Sequence, residues 1–125
     1  MNQILLIDDD EAMRETLADC LDRAGHTVSQ AENGKKALQL LENSTYDLIV
    51  TDVFMPELDG IELIQILGDK DNQPPIIAIS GGGGVLPPGW SIKLTEVYSV
   101  ASSMTKPIDM DVFLSTVEKS LQVHS

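Results

Sequence analysis

Among the apolar runs of three residues or more in this chain, three consist of Ile, Leu, Val and Ala alone: Ile4-Leu5-Leu6-Ile7, Leu48-Ile49-Val50 and Ile76-Ile77-Ala78-Ile79. A strand without a polar face must be buried on both sides, which is the condition of a parallel sheet covered by helices. Each run also stops abruptly at polar residues: Asp8-Asp9-Asp10, Thr51-Asp52 and Ser80. These runs set the frame into which the intervening segments must fit.

From Glu11 to Ala24, the apolar residues Ala12, Met13, Leu17, Cys20, Leu21 and Ala24 recur at spacings of three and four, which predicts a first helix. Asp10 or Asp9 caps it, and Gly25 follows where a left-handed stop is wanted. His26 to Ala31 reads as a second strand. Ala37, Leu38, Leu40 and Leu41, after Gly34, mark a second helix ending near Asn43. Tyr46 to Thr51 is a third strand that delivers Asp52. Gly60 to Leu67 predicts a short third helix, and Gly68 to Pro75 a polar break before the strand at Ile76. Four glycines, Gly81 to Gly84, then form a loop with little conformational preference, and Pro87 or Pro88 opens a fourth helix over Gly89 to Val100. A weak strand at Ser102 to Thr105 precedes Lys106-Pro107. Asp109 caps a last helix with Val112, Phe113, Val117 and Leu121 inward.

Five β-α units in 125 residues predict one α/β domain, a doubly wound (βα)5 fold with a five-stranded parallel sheet. The expectation is a single domain over residues 1–125 with no output domain attached. Composition narrows the function. The 20 Asp+Glu against 8 Lys+Arg give a net charge of -12, which argues against nucleic acid or an anionic membrane and suits a cation or a basic partner. The acidity is uneven: residues 1–62 carry 14 acids and 4 bases, residues 63–125 only 6 and 4. Cys20 is a lone cysteine, no apolar run approaches the roughly 20 residues that span a bilayer, and no signal sequence opens the chain. A reduced, cytoplasmic location follows as an expectation.

Ligands of such sheets bind beyond the carboxyl ends of the strands. The residues there are Asp8 and Asp9 after the first strand, Asp52 after the third, Ser80 after the fourth and Lys106 after the fifth. Three carboxylates within about 6 Å repel by roughly 3 kcal/mol per pair at an effective dielectric near 20, so the arrangement calls for a cation. Mg²⁺ suits it, as a hard ion that takes one or two carboxylates and completes its octahedron with waters and phosphate oxygens. A carboxylate can accept a phosphoryl group, and Asp52 is assigned that role because Asp8 and Asp9 are adjacent and at least one is needed for the metal. Ser80 and Lys106 would bind phosphoryl oxygens, while Gly81 leaves the approach to Asp52 open. Lys106-Pro107 is a candidate cis peptide that would turn the ammonium inward.

The segments L-L-I-D-D-D-E-A-M-R-E-T-L, D-L-I-V-T-D-V-F-M-P-E-L-D-G-I-E-L, I-I-A-I-S-G and T-K-P-I-D resemble the receiver domain of two-component response regulators, and more particularly the stand-alone, chemotaxis-regulator-like type. The resemblance spans nearly the whole chain. It implies a flavodoxin-like fold of strand order 2-1-3-4-5 and a phosphorylation-dependent switch modified on Asp52 by a histidine kinase or histidine phosphotransfer protein. It implies Mg²⁺ on Asp9, Asp52 and the backbone carbonyl of Phe54, with Asp8 reaching the ion through water. Ser80 and Lys106 carry over as the switch hydroxyl and the phosphoryl-pairing lysine. Such a protein assists its own phosphorylation and dephosphorylation without being an enzyme in the turnover sense. It either binds a target through the surface from the fourth helix to the fifth or passes the phosphoryl group on. A monomer or weak dimer is expected.

Departures from the family pattern leave two rivals. The position three before the lysine, usually aromatic in receivers, is Ser103, which keeps alive a degenerate receiver that acts only as a protein-binding module. A Mg²⁺-dependent phosphatase with an aspartate nucleophile wants an acid two positions after that nucleophile, where Phe54 stands. Phe54 and Gly82 occupy positions that in this family influence how water reaches the acyl phosphate. The glycine loop lacks the Lys-Ser/Thr of a nucleotide site. His26 and His124 read as ordinary surface residues, and Cys20 as a small core residue. Trp90 and Tyr98 pack the fourth helix or face a partner.

Overall fold

A computed structural model of the chain describes residues 2–52, 63, 66, 74–80, 101–105 and 107–123. The apolar runs form strands β1 (Gln3–Ile7), β3 (Leu48–Asp52) and β4 (Ile76–Ser80), joined by β2 (Thr27–Ala31) and β5 (Ser102–Thr105). All neighbours pair in parallel, in the order β2-β1-β3-β4-β5. Three helices are fully bounded: α1 (Glu11–Arg23), α2 (Gly34–Asn43) and a C-terminal helix (Met110–Val123). Leu63 and Ile66 are also helical, within the segment expected to form the third helix. The other residues expected in that helix, the expected loop at Gly81 to Gly84, the expected fourth helix with Trp90 and Tyr98, and the residues Phe54, Lys106 and His124 lie outside the described residues.

Successive side chains of a strand point to opposite faces, and that alternation divides the core in two. Leu5, Ile7, Ile49, Ile76 and Ala78 gather under Ala37 of α2 together with Leu63. Ile4, Leu6, Leu48, Val50, Ile77 and Ile79 gather on the other face under Leu17, Ala18 and Leu21 of α1 and under Phe113, Val117 and Leu121 of the C-terminal helix. Helices therefore cover both faces, as the wholly apolar strands require. Each such leucine or isoleucine withdrawn from water stabilises the fold by roughly 1.5–3 kcal/mol before the entropy of ordering is counted.

The helix ends follow local chemistry. Asp10 caps α1, accepting the Met13 N–H at 3.2 Å, and Gly25 takes the left-handed φ of 97° that ends it. Asn33 caps α2 by accepting the Lys36 N–H at 2.8 Å. Asp109 Oδ1 accepts from the N–H groups of Asp111 and Val112 at the start of the C-terminal helix.

Several expectations need correction. On α1 the buried residues are Leu17, Ala18 and Leu21, with Met13 partly buried against the same cluster, whereas Ala12 is exposed, as is Ala24 just past the helix end. Val112 is 53% exposed: it precedes the fully buried Phe113 by one residue, about 100° around the helix, and both cannot face the sheet. His26 is not a surface residue. It is buried at the entrance to β2, with Nε2 3.0 Å from Oε1 of Glu118 on the C-terminal helix. The third strand starts at Leu48, not Tyr46, and includes Asp52 as its last residue.

Candidate functional site

The strand register determines what meets at the carboxyl end of the sheet. Ile7 is level with Thr51, so the next residue of each strand brings Asp8 beside Asp52. Asp52 is level with Ile79, which sets Ser80 one step further on, and Ser80 is level with Thr105, the residue before Lys106. Asp8 and Asp52 are almost fully buried, at 1% and 3% exposure, whereas Asp9 is exposed. One carboxylate oxygen from each of Asp8, Asp9 and Asp52 lies within 4.8 Å of the others.

That spacing fits a small hard cation. Ligand distances of about 2.0–2.1 Å place two oxygens on one octahedral Mg²⁺ roughly 3 Å apart when adjacent and about 4 Å when opposite, so modest side-chain rotation closes the set around an ion. The donors are all oxygens, which excludes a soft-metal preference. At 4.8 Å and an effective dielectric of 20, each pair of carboxylates repels by about 3.5 kcal/mol, less wherever Asp9 is screened by water. A cation among them removes this opposition.

Local hydrogen bonds hold the strand ends in place. Asp8 Oδ1 accepts the Asp10 N–H at 2.9 Å, and the Asp8 N–H donates to the Ala31 carbonyl at 3.1 Å. Thr51 Oγ1 donates to the Asp52 carbonyl at 3.0 Å in a fully buried setting. Ser80 is buried, and its hydroxyl lies 3.5 Å from the Met104 carbonyl, a long and weak hydrogen bond. Ser103 is exposed on β5, level with Ala78 of β4. Pro107 is exposed. Of the expected site residues, Asp8, Asp9 and Asp52 come together and Ser80 lies on the adjoining strand, whereas Phe54, Gly81 and Lys106 fall outside the described residues.

Sequence reasoning passed over Arg14. Its Nη1–H donates to the Asp8 carbonyl at 2.9 Å, and its Nε–H to Gln30 Oε1 at 3.1 Å. A base one helical turn beyond Asp10 in an otherwise acidic stretch was a visible signal; nothing in the spacing pointed to Gln30.

The family model of the response regulator receiver domain matches residues 4–118. The chain belongs to that family. Among curated relatives, the response regulator receiver protein CpdR of Brucella abortus (strain 2308) is 34% identical over 122 residues, covering 97% of this chain and 98% of CpdR. Response regulator MprA of Mycobacterium sp. (strain KMS) is 39% identical over 83 residues, which are 66% of this chain and only 36% of MprA. The chain thus spans about a third of that relative. Among solved structures, the receiver domain of the Francisella response regulator 1452 superimposes with a TM-score of 0.89 at 27% identity, each chain covered in full. Response regulator protein TrrA of Thermotoga maritima, solved in complex with Mg²⁺-BeF, gives 0.79 at 27% identity over 96% of this chain and 99% of TrrA. This receiver domain has the five-stranded order and flanking helices of those relatives, so the flavodoxin-like expectation holds. Among its described residues, no helix is long and apolar enough to cross a membrane.

Proposed function

We propose that this receiver domain is a phosphorylation-dependent signalling switch whose acceptor is Asp52. The observation that carries the reading is the convergence of three carboxylates from β1 and β3 within 4.8 Å, with Asp52 only 3% exposed at the strand end. A nucleophilic carboxylate oxygen of Asp52 attacks phosphorus, and the phosphorus–nitrogen bond of a phosphohistidine donor breaks. The donor imidazole keeps that bond's electron pair and takes up a proton. The donor is a histidine kinase or a histidine phosphotransfer protein, the partners of receiver domains in general. Asp8, Asp9, Asp52 and the Phe54 carbonyl would hold Mg²⁺, with Asp8 acting through water; the ion supplies positive charge against the carboxylates and the phosphoryl oxygens. The Mg²⁺-BeF carried by TrrA supports this choice of metal.

Ser80 and Lys106 bind phosphoryl oxygens, and Gly81 keeps the approach open. The weak bond from Ser80 to the Met104 carbonyl is readily exchanged for one to a phosphoryl oxygen, which draws β4 and β5 into the response. The domain assists its own phosphorylation and dephosphorylation and does not turn over a free substrate. Phosphorylated, it binds a target protein or passes the phosphoryl group to a second histidine protein. It works in the cytoplasm, as a monomer or weak dimer.

Exposed Ser103 supports a second reading, because a serine offers no large side chain to swing inward when Ser80 moves. In that reading the domain binds partners without a phosphorylation-driven change of surface. Incubation with Mg²⁺ and acetyl phosphate or phosphoramidate, followed by intact mass, tests the first reading. The wild type is expected to gain one phosphoryl group and Asp52→Asn none. No gain with either donor would sink the switch and leave the binding module.

A further inference from the structure

Arg14 is a cation beside a site built for a cation, and on charge alone the metal would bind better without it. Its geometry offers a different reason for its presence. From α1 the guanidinium spans two acceptors: the Asp8 main-chain carbonyl at 2.9 Å and the Gln30 side-chain oxygen at 3.1 Å. Gln30 lies on the edge strand β2, next to Ala31, whose own carbonyl accepts the Asp8 N–H. The peptide groups on either side of Asp8 are thus both tied to β2, one directly and one through Arg14. Asp8 Oδ1 in turn holds the Asp10 N–H, so the turn that carries Asp9 is braced at both ends. A planar fork suits this task, since it presents donors at a fixed angle where an ammonium presents a point charge.

We propose that Arg14 is a positioning residue for the divalent cation: bridged to Gln30, it fixes the turn between β1 and α1 so that the Asp8 and Asp9 carboxylates converge on Asp52. This rests on the reading of that triad as the Mg²⁺ site. Residues that orient metal ligands typically affect affinity tenfold or more when lost, and a carbonyl contact on the ligand's own peptide belongs with them.

The test is a Mg²⁺ titration of isotope-labelled protein followed by amide NMR shifts. It is paired with phosphorylation by phosphoramidate across a Mg²⁺ series. Arg14→Gln is expected to weaken Mg²⁺ binding about tenfold. Arg14→Lys is expected to weaken it as well despite keeping the charge, because one ammonium cannot reproduce the fork. Gln30→Leu, at an exposed position where folding is not at stake, is expected to shift affinity in the same direction by about threefold, below the usual cost of losing a direct support. All three should reach the wild-type phosphorylation rate at saturating Mg²⁺, separating ion binding from the chemical step. Arg14→Gln binding Mg²⁺ as tightly as the wild type, or more tightly, would overturn the proposal. Asp9→Asn serves as the control: if it kept wild-type affinity, the Mg²⁺ reading itself would fail, a result separate from the behaviour of Arg14.

Discussion

Cys20 sits partly buried on α1, and its surroundings shift its thiol pKa upward. Burial is the main cause; the Asp19 and Asp111 carboxylates add to it and the Arg23 guanidinium opposes it. A raised pKa in the fold means that the neutral thiol is held in preference to the thiolate. Its contribution to stability is therefore complete below the unfolded value and is lost as pH rises through the folded one. Urea unfolding of wild type and Cys20→Ala should accordingly show the wild type losing ground above pH 9.0 relative to its standing at neutral pH. A constant difference between the two across that range would contradict this. At this same scale the sequence was readable where a residue's position followed from the strand it ends, as with Asp8, Asp9 and Asp52, whose carboxylates the structure brings together. It was silent where the role came from a contact between elements. The bond from His26 to Glu118 joins residues 92 positions apart, and that from Arg14 to Gln30 joins a helix to an edge strand. Neither leaves a periodic trace.

Among the elements, the strands were the easiest to read, because β1, β3 and β4 are apolar on both faces and can only be interior. The described helices were legible in place and, at Asp10 and Asp109, in capping but less so in facing, since an apolar pair such as Val112-Phe113 gives no sign of which residue points inward. The structure decides for Phe113, which is fully buried against the sheet, while Val112 is 53% exposed. Phe113→Ala is expected to cost about 3–5 kcal/mol through lost transfer energy and the cavity left behind. Val112→Ala should stay within roughly 0.5 kcal/mol. Denaturant midpoints of the two variants measure the contrast, and equal losses would show that the C-terminal helix is turned differently on the sheet.

For the whole molecule, the charge of -12 separates into a local and a diffuse part. Asp8, Asp9 and Asp52 oppose one another at close range, while Glu11, Glu15, Asp19 and Asp22 outweigh Arg14 and Arg23 along α1. Without divalent metal, Asp52→Asn is expected to unfold at a higher temperature than the wild type, because it removes one member of a mutually repelling group. Millimolar Mg²⁺ should raise the wild-type midpoint and leave Asp52→Asn nearly unmoved, as linkage requires of an ion that binds only the folded form with its ligands intact. Thermal scans in chelator and in Mg²⁺ check both statements. A lower midpoint for Asp52→Asn in chelator would mean that its carboxylate is held favourably by the fold even when no metal is present.

Among the described residues, the two halves of the core lie on opposite faces of the strands, which deal their side chains alternately to one half and the other. Length inside a strand is therefore a stricter requirement than identity. Exchanging Leu6 for another aliphatic residue of similar volume repacks only its immediate neighbours. Removing it would hand every later residue of β1 to the wrong half and bring Asp8 one position short of Asp52. Over evolutionary time, such a chain can exchange one aliphatic residue of its buried strands for another, provided it never changes how many there are.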